Sequence, residues 1–88
     1  MSMKPATDSP ITLILYGRPD CGLCDEMAEA IAEQFGARVV LDKRDITGDA
    51  QLERRFGLKI PVLMREGEVI CFGRLDEARL QQLLDAID

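Results

Sequence analysis

The chain has 88 residues, 47% of them hydrophobic and 31% charged, which fits one soluble globular domain with a modest core and no obligatory disulfides. Lys and Arg number 11 against 16 Asp and Glu, so the net charge is −5, which argues against nucleic acid as the main partner. The first ten residues lack the apolar core of a signal peptide and no apolar run approaches a membrane span, so the expected location is the cytoplasm, where thiols are kept reduced.

Residues 1–10 read as a loose N-terminal tail ahead of a single domain over 11–88. Ile11-Thr-Leu-Ile-Leu-Tyr16 is β-rich and almost continuously apolar, the pattern of a strand buried on both faces, and Gly17 and Pro19 break it. From Cys21 the period changes. Cys24, Met27, Ala28, Ile31 and Phe35 fall on one helical face, Asp25, Glu26, Glu29 and Glu33 lie off it, and Gly36 is the stop. Arg38–Asp42 predicts a second strand, parallel to the first because a helix connects them. Asp49 is placed to cap a short helix through Phe56, with Leu52 and Phe56 inward and Gly57 at its end. Val62–Arg65 and Glu68–Phe72 flank Glu66-Gly67 and predict a tight hairpin, with Val69 and Cys71 on one face of its second strand. After Gly73, Asp76 is placed to cap a last helix whose inward face is Leu80, Leu83, Leu84 and Ile87. The order β-α-β-α-β-β-α implies an α/β fold, a four-stranded mixed sheet with helices on both faces.

The chemistry-bearing stretch is Tyr16-Gly-Arg-Pro-Asp-Cys-Gly-Leu-Cys-Asp25. A C-x-x-C between a strand and a helix reads as a dithiol/disulfide site. The first thiol would sit at the helix N-terminus, where orphan N–H groups and the macrodipole favour the thiolate, the nucleophile in disulfide exchange. Zinc is the rival reading, but a structural zinc site takes four ligands, and the chain offers no histidine and only one further cysteine, Cys71. Cys71 itself reads first as a small buried hydrophobe and second as an auxiliary redox thiol.

These motifs in this order, with Ile60-Pro61-Val62 opening the third strand, resemble the thioredoxin superfamily, and within it the small bacterial glutaredoxin-like proteins. The runs Leu15–Asp25 and Phe56–Leu63 carry the resemblance, which spans residues 11–88. It implies a thioredoxin-like fold with strand order 2-1-3-4 and three flanking helices. Cys21 matches the attacking cysteine, Cys24 the resolving one, and Pro61 a cis-proline facing the dithiol, leaving the backbone of Ile60 free to pair with a substrate strand. Arg18 falls where glutaredoxins hold a glutathione carboxylate, and Gly73 and Asp76 where they hold its other end. Lys59 joins Arg18 as a cation near the site. Each of these charges also has a plainer reading, Arg18 and Lys59 as solvated surface and Asp76 as a helix cap.

The function so implied is a thiol–disulfide oxidoreductase acting on protein or glutathione mixed disulfides, as a monomer and with no bound cofactor or metal. Glutathione or a dithiol protein would be the reductant. Two other readings remain at this point: a non-catalytic binding module on the same fold, and a metal or iron–sulfur carrier through Cys21. Gly22-Leu23 stands where glutaredoxins carry Pro-Tyr, and Asp20, Asp25 and Glu26 surround the site with negative charge. Glutathione, itself an anion, is therefore expected to be a poor reductant.

Overall fold

In the computed structural model, which describes residues 10–87, strand β1 (Ile11–Gly17) is the centre of the sheet. Its alternation sends Leu13 and Leu15 to one apolar cluster and Ile14 and Tyr16 to the other, as a continuously apolar strand requires. The N-terminal tail expected over residues 1–10 lies, apart from Pro10, outside the described residues.

Helix α1 (Gly22–Phe35) follows, then a 3-10 turn (Gly36–Arg38) and strand β2 (Val39–Asp45). β2 pairs parallel to β1, with Ile11 opposite Val39 and Gly17 opposite Asp45. It runs three residues past the apolar stretch. Lys43, Arg44 and Asp45 lie on an edge strand with exposed side chains, so the backbone ladder continues where hydropathy gives no sign of it. Helix α2 (Ala50–Phe56) is capped by Asp49, whose Oδ1 accepts the Leu52 N–H at 3.1 Å.

Strands β3 (Val62–Arg65) and β4 (Glu68–Phe72) form an antiparallel hairpin, and β3 also pairs antiparallel with β1. The sheet order is β2-β1-β3-β4. Both turn residues of the hairpin have positive φ, 50° at Glu66 and 86° at Gly67, the geometry whose twist suits a two-residue loop. The register breaks once: Leu63 faces Cys71 but Met64 faces Val69. This bulge puts Val69 and Cys71 in different apolar clusters, not on one face as strict alternation predicts.

Helix α3 (Glu77–Ile87) is capped by Asp76, whose Oδ1 accepts the Arg79 N–H at 3.0 Å. Leu80 and Leu84 are fully enclosed and Leu83 packs at their edge, whereas Ile87, in the last turn, stays exposed and outside the core. The main core joins Met27, Ala28, Ile31 and Phe35 of α1 and Leu80 and Leu84 of α3 to Leu13, Leu15, Leu63 and Ile70 of the sheet. The smaller core, on the opposite face, joins Phe56 of α2 to Val62 and Met64, with Tyr16 stacked on Phe56 at 5.3 Å between ring centroids. The sheet therefore carries α1 and α3 on one face and α2 on the other. No described helix is long and apolar enough to cross a membrane.

Candidate active site

The loop from β1 to α1 brings both sulfurs to the helix N-terminus. Cys21 is the N-cap, with extended backbone (φ −92°, ψ 107°), and Cys24 lies in the first turn. The two are joined as a disulfide with Cα atoms 5.2 Å apart. Cys21 Sγ accepts the backbone N–H of Cys24 at 3.1 Å, one of the donors that a helix start leaves unpaired. The surroundings of the two sulfurs differ. Cys21 is half-buried at the rim, while Cys24 is only 8% exposed and turned into the protein.

Cys24 can sit so deep because residue 17 is glycine. A Cβ at Gly17 would lie 2.5 Å from Cys24 Sγ, closer than a side chain tolerates, and 3.3 Å from its Cβ, a tight contact. Gly17 is thus not a strand breaker; it is the last residue of β1 and the floor beneath Cys24. A cavity of about 230 Å³ opens beside it, lined among others by Leu15, Arg18, Cys24, Lys43 and Asp45.

Arg18 spans from this loop to α2. Its backbone carbonyl accepts the Cys21 N–H at 3.2 Å. Its guanidinium pairs with the Glu53 carboxylate and donates to the Gly57 carbonyl at 3.3 Å. The cation expected to hold a glutathione carboxylate is thus already matched by a carboxylate of the protein. Asp45 faces Arg18 as well. Hydrogen bonds from Thr47, and more weakly the charge of Arg18, hold the Asp45 carboxyl below the usual carboxylate range.

The Ile60–Pro61 peptide is cis, and the Pro61 carbonyl accepts the Gly73 N–H at 2.8 Å. Lys59 donates its backbone N–H to Phe56 and sets its ammonium 5.3 Å from the centre of the Phe72 ring. A groove of about 350 Å³ runs between α1 and the β4–α3 connection, lined by Leu23, Glu26, Met27, Gly73, Arg74 and Glu77 in the main. Leu23, on the rim of this groove, and Phe72, under Lys59, are each 53% exposed.

A profile of the Glutaredoxin-like domain family (DUF836) matches residues 12–85, nearly the whole described chain. The chain belongs to this family. A glutaredoxin-like domain of this kind accounts for the thioredoxin-like architecture of four strands in the order 2-1-3-4 with three helices. The X-ray structure of a structural-genomics target protein from X. campestris is 39% identical, covers 84% of this chain and 96% of its own, and superposes with a TM-score of 0.70. The solution NMR structure of a protein from Nitrosomonas europaea is 31% identical, covers 84% of this chain and 91% of its own, with a TM-score of 0.71. No curated protein matches the sequence.

Of the residues singled out in the sequence, the glutaredoxin-like domain gathers Arg18 and Cys21 on the loop before α1 with Cys24 in that helix's first turn, and links Pro61 to Gly73 by a backbone hydrogen bond. Asp76 does not line the groove that Gly73 shares with Leu23; its carboxylate caps α3. Three participants were not foreseen: Gly17 under Cys24, Glu53 on Arg18 and Phe72 under Lys59. Gly17 had a signal in its position, a glycine at a strand end four residues before the first cysteine. Glu53 had none, since it is 35 residues from Arg18 in sequence. Among the described residues, no group of three or more His, Cys, Asp or Glu side chains is gathered as a metal site would need.

Proposed function

We propose that this protein is a thiol–disulfide oxidoreductase that reduces disulfides of proteins, or mixed disulfides with glutathione, through Cys21 and Cys24. One observation carries the reading. Cys21 sits at the rim with its sulfur on a helix N-terminal N–H, and the second sulfur lies beneath it within bonding reach.

The chemistry follows from that asymmetry. In the dithiol form, the Cys21 thiolate attacks one sulfur of a substrate disulfide, and the other sulfur leaves as a thiolate and takes up a proton. A Cys21–substrate mixed disulfide results. Cys24 then loses its proton and attacks Cys21 Sγ, which releases the second substrate thiol and leaves the Cys21–Cys24 disulfide. Two electrons pass to the substrate in all, and a reductant, glutathione or a dithiol protein, returns them. The helix N-terminus supports the thiolate at Cys21, and burial protects Cys24 from substrates until the mixed disulfide brings an electrophilic sulfur to it. Both sulfurs come from one chain, so the cycle runs in a monomer. The cytoplasm, with its reducing thiol pool, suits it.

Ile60 and Pro61, next to the apolar surface of Phe72, serve as the docking edge for a substrate strand. Lys59 and Gly73 border it. The test is stoichiometric. Reduced protein mixed with a disulfide-bonded protein substrate yields one substrate disulfide reduced per chain, and Cys21→Ser yields none. Equal activity of Cys21→Ser and the parent sequence would remove the proposal. Regeneration by glutathione against a dithiol reductase system identifies the reductant.

A further inference from the structure

The Arg18–Glu53 pair bears on which disulfides react at Cys21, a meaning that rests on the oxidoreductase reading although its test does not. Arg18 precedes Cys21 by three residues and holds the Cys21 N–H through its carbonyl. It is the cation built into the dithiol loop. Left unpaired, it would draw anionic reactants toward Cys21. Glu53, on a different helix, cancels that charge, and Asp45 faces it too. The helix itself adds no compensating cation: α1 carries Asp25, Glu26, Glu29 and Glu33 and no Lys or Arg, and Asp20 precedes it. Two cations of β2 line the cavity beside Cys24, Arg44, which is matched by Asp42, and Lys43, which is exposed to solvent on the sheet edge. Lys59 is drawn over Phe72, and Arg74 shares its groove with Glu26 and Glu77.

We infer that Glu53 is a specificity-determining residue: by neutralising Arg18 beside the dithiol it selects against anionic reactants, so that the substrates favoured are disulfides flanked by uncharged or basic groups. The pair is 37% exposed on each side, so solvent and salt reach it, and its influence is electrostatic and modest in range. Apolar contact with Leu23 and Phe72 then supplies attraction that charge does not.

The experiment uses two alkylating agents of nearly equal size, iodoacetamide, which is neutral, and iodoacetate, an anion. In each, the Cys21 thiolate forms an S–C bond and iodide leaves. Rates at Cys21 are measured on the reduced full chain, with the modified cysteine located by mass spectrometry. A change in thiolate population or loop mobility alters both rates alike, whereas the ratio of iodoacetate to iodoacetamide reports charge at the sulfur. Glu53→Gln is expected to raise this ratio about two- to fivefold at low ionic strength, the order expected of one charge unmasked near a partly solvated sulfur, and the increase should shrink as salt is added. Arg18→Gln is expected to lower it below that of the parent, because Glu53 is then unopposed. The double variant Arg18→Gln/Glu53→Gln should return near the parent ratio although the pair is gone, which a structural role for the pair would not produce. Unchanged ratios in the single variants, or a shift of both in the same direction, would overturn the inference. The same variants assayed on an anionic and a neutral small disulfide complete the test. Ratios that move as stated in a protein that reduces neither small disulfide nor a disulfide-bonded protein substrate would uphold the charge assignment and overturn the oxidoreductase reading alone.

Discussion

Gly17→Ala isolates the contact on which the buried sulfur depends. The added methyl would lie 2.5 Å from Cys24 Sγ, and that sulfur is not a loose chain end, since Cys21 holds it from the other side. Gly17 lies in β1, and no positive φ sets it apart there, so alanine fits the backbone. Restricting the unfolded chain would then stabilise the variant by about 0.4–1 kcal/mol. Overpacking a tight site costs about 1–3 kcal/mol, so the clash outweighs the entropy gain. The net loss is about 1–2 kcal/mol, which for a domain of this size lowers Tm by about 4–16 °C. In the reduced protein Cys24 can turn away from the methyl, so the loss should be larger in the oxidised form. Thermal and urea unfolding of both redox forms read this out. A Gly17→Ala variant as stable as the parent in the oxidised form, or one that loses more when reduced, would refute the account of Gly17 as the floor of the site.

Three further outcomes are expected. Phe56→Ala removes the ring that α2 packs against Tyr16, Val62 and Met64 of the sheet and should cost about 3–5 kcal/mol, a large share of the total for a small domain, measured by urea unfolding. Asp49→Ala removes the α2 cap and should cost about 1 kcal/mol, leaving the disulfide and its surroundings unaltered by near-UV circular dichroism. Burial, first, holds the Cys71 thiol above its ordinary value of 9.0. The folded state therefore keeps a proton that the unfolded chain has released. The stabilisation is full below that pH and is lost as pH rises through the folded value, by linkage. Oxidised parent protein should lose more stability than oxidised Cys71→Ala between pH 8 and the alkaline limit of unfolding measurements, and parallel profiles would contradict the assignment.

The apolar patterns of Ile11–Tyr16 and Cys24–Phe35 made the central strand and first helix legible, because burial on two faces and on one face leave different periods. Turn chemistry at Glu66-Gly67 located the hairpin. Two things were not legible. The last three residues of β2 pair through backbone alone, and the bulge at Ile70 shifts Cys71 to the other face from Val69; neither leaves a trace in side-chain character. At the site, the cysteine pair and Pro61 were visible as local motifs. The electrostatic state of Arg18 was not, because it is set by Glu53, a partner brought in by folding.

The central claim is that Cys21 attacks and Cys24 resolves. Cys24→Ser leaves the attacking sulfur in place and removes the second step, so the reduced variant incubated with a protein disulfide should accumulate a covalent complex. Mass spectrometry of its peptides should locate the bond at Cys21 and find one substrate thiol released per complex. A Cys24→Ser variant that forms no such complex, or a Cys21→Ser variant that forms it through Cys24, would contradict the account.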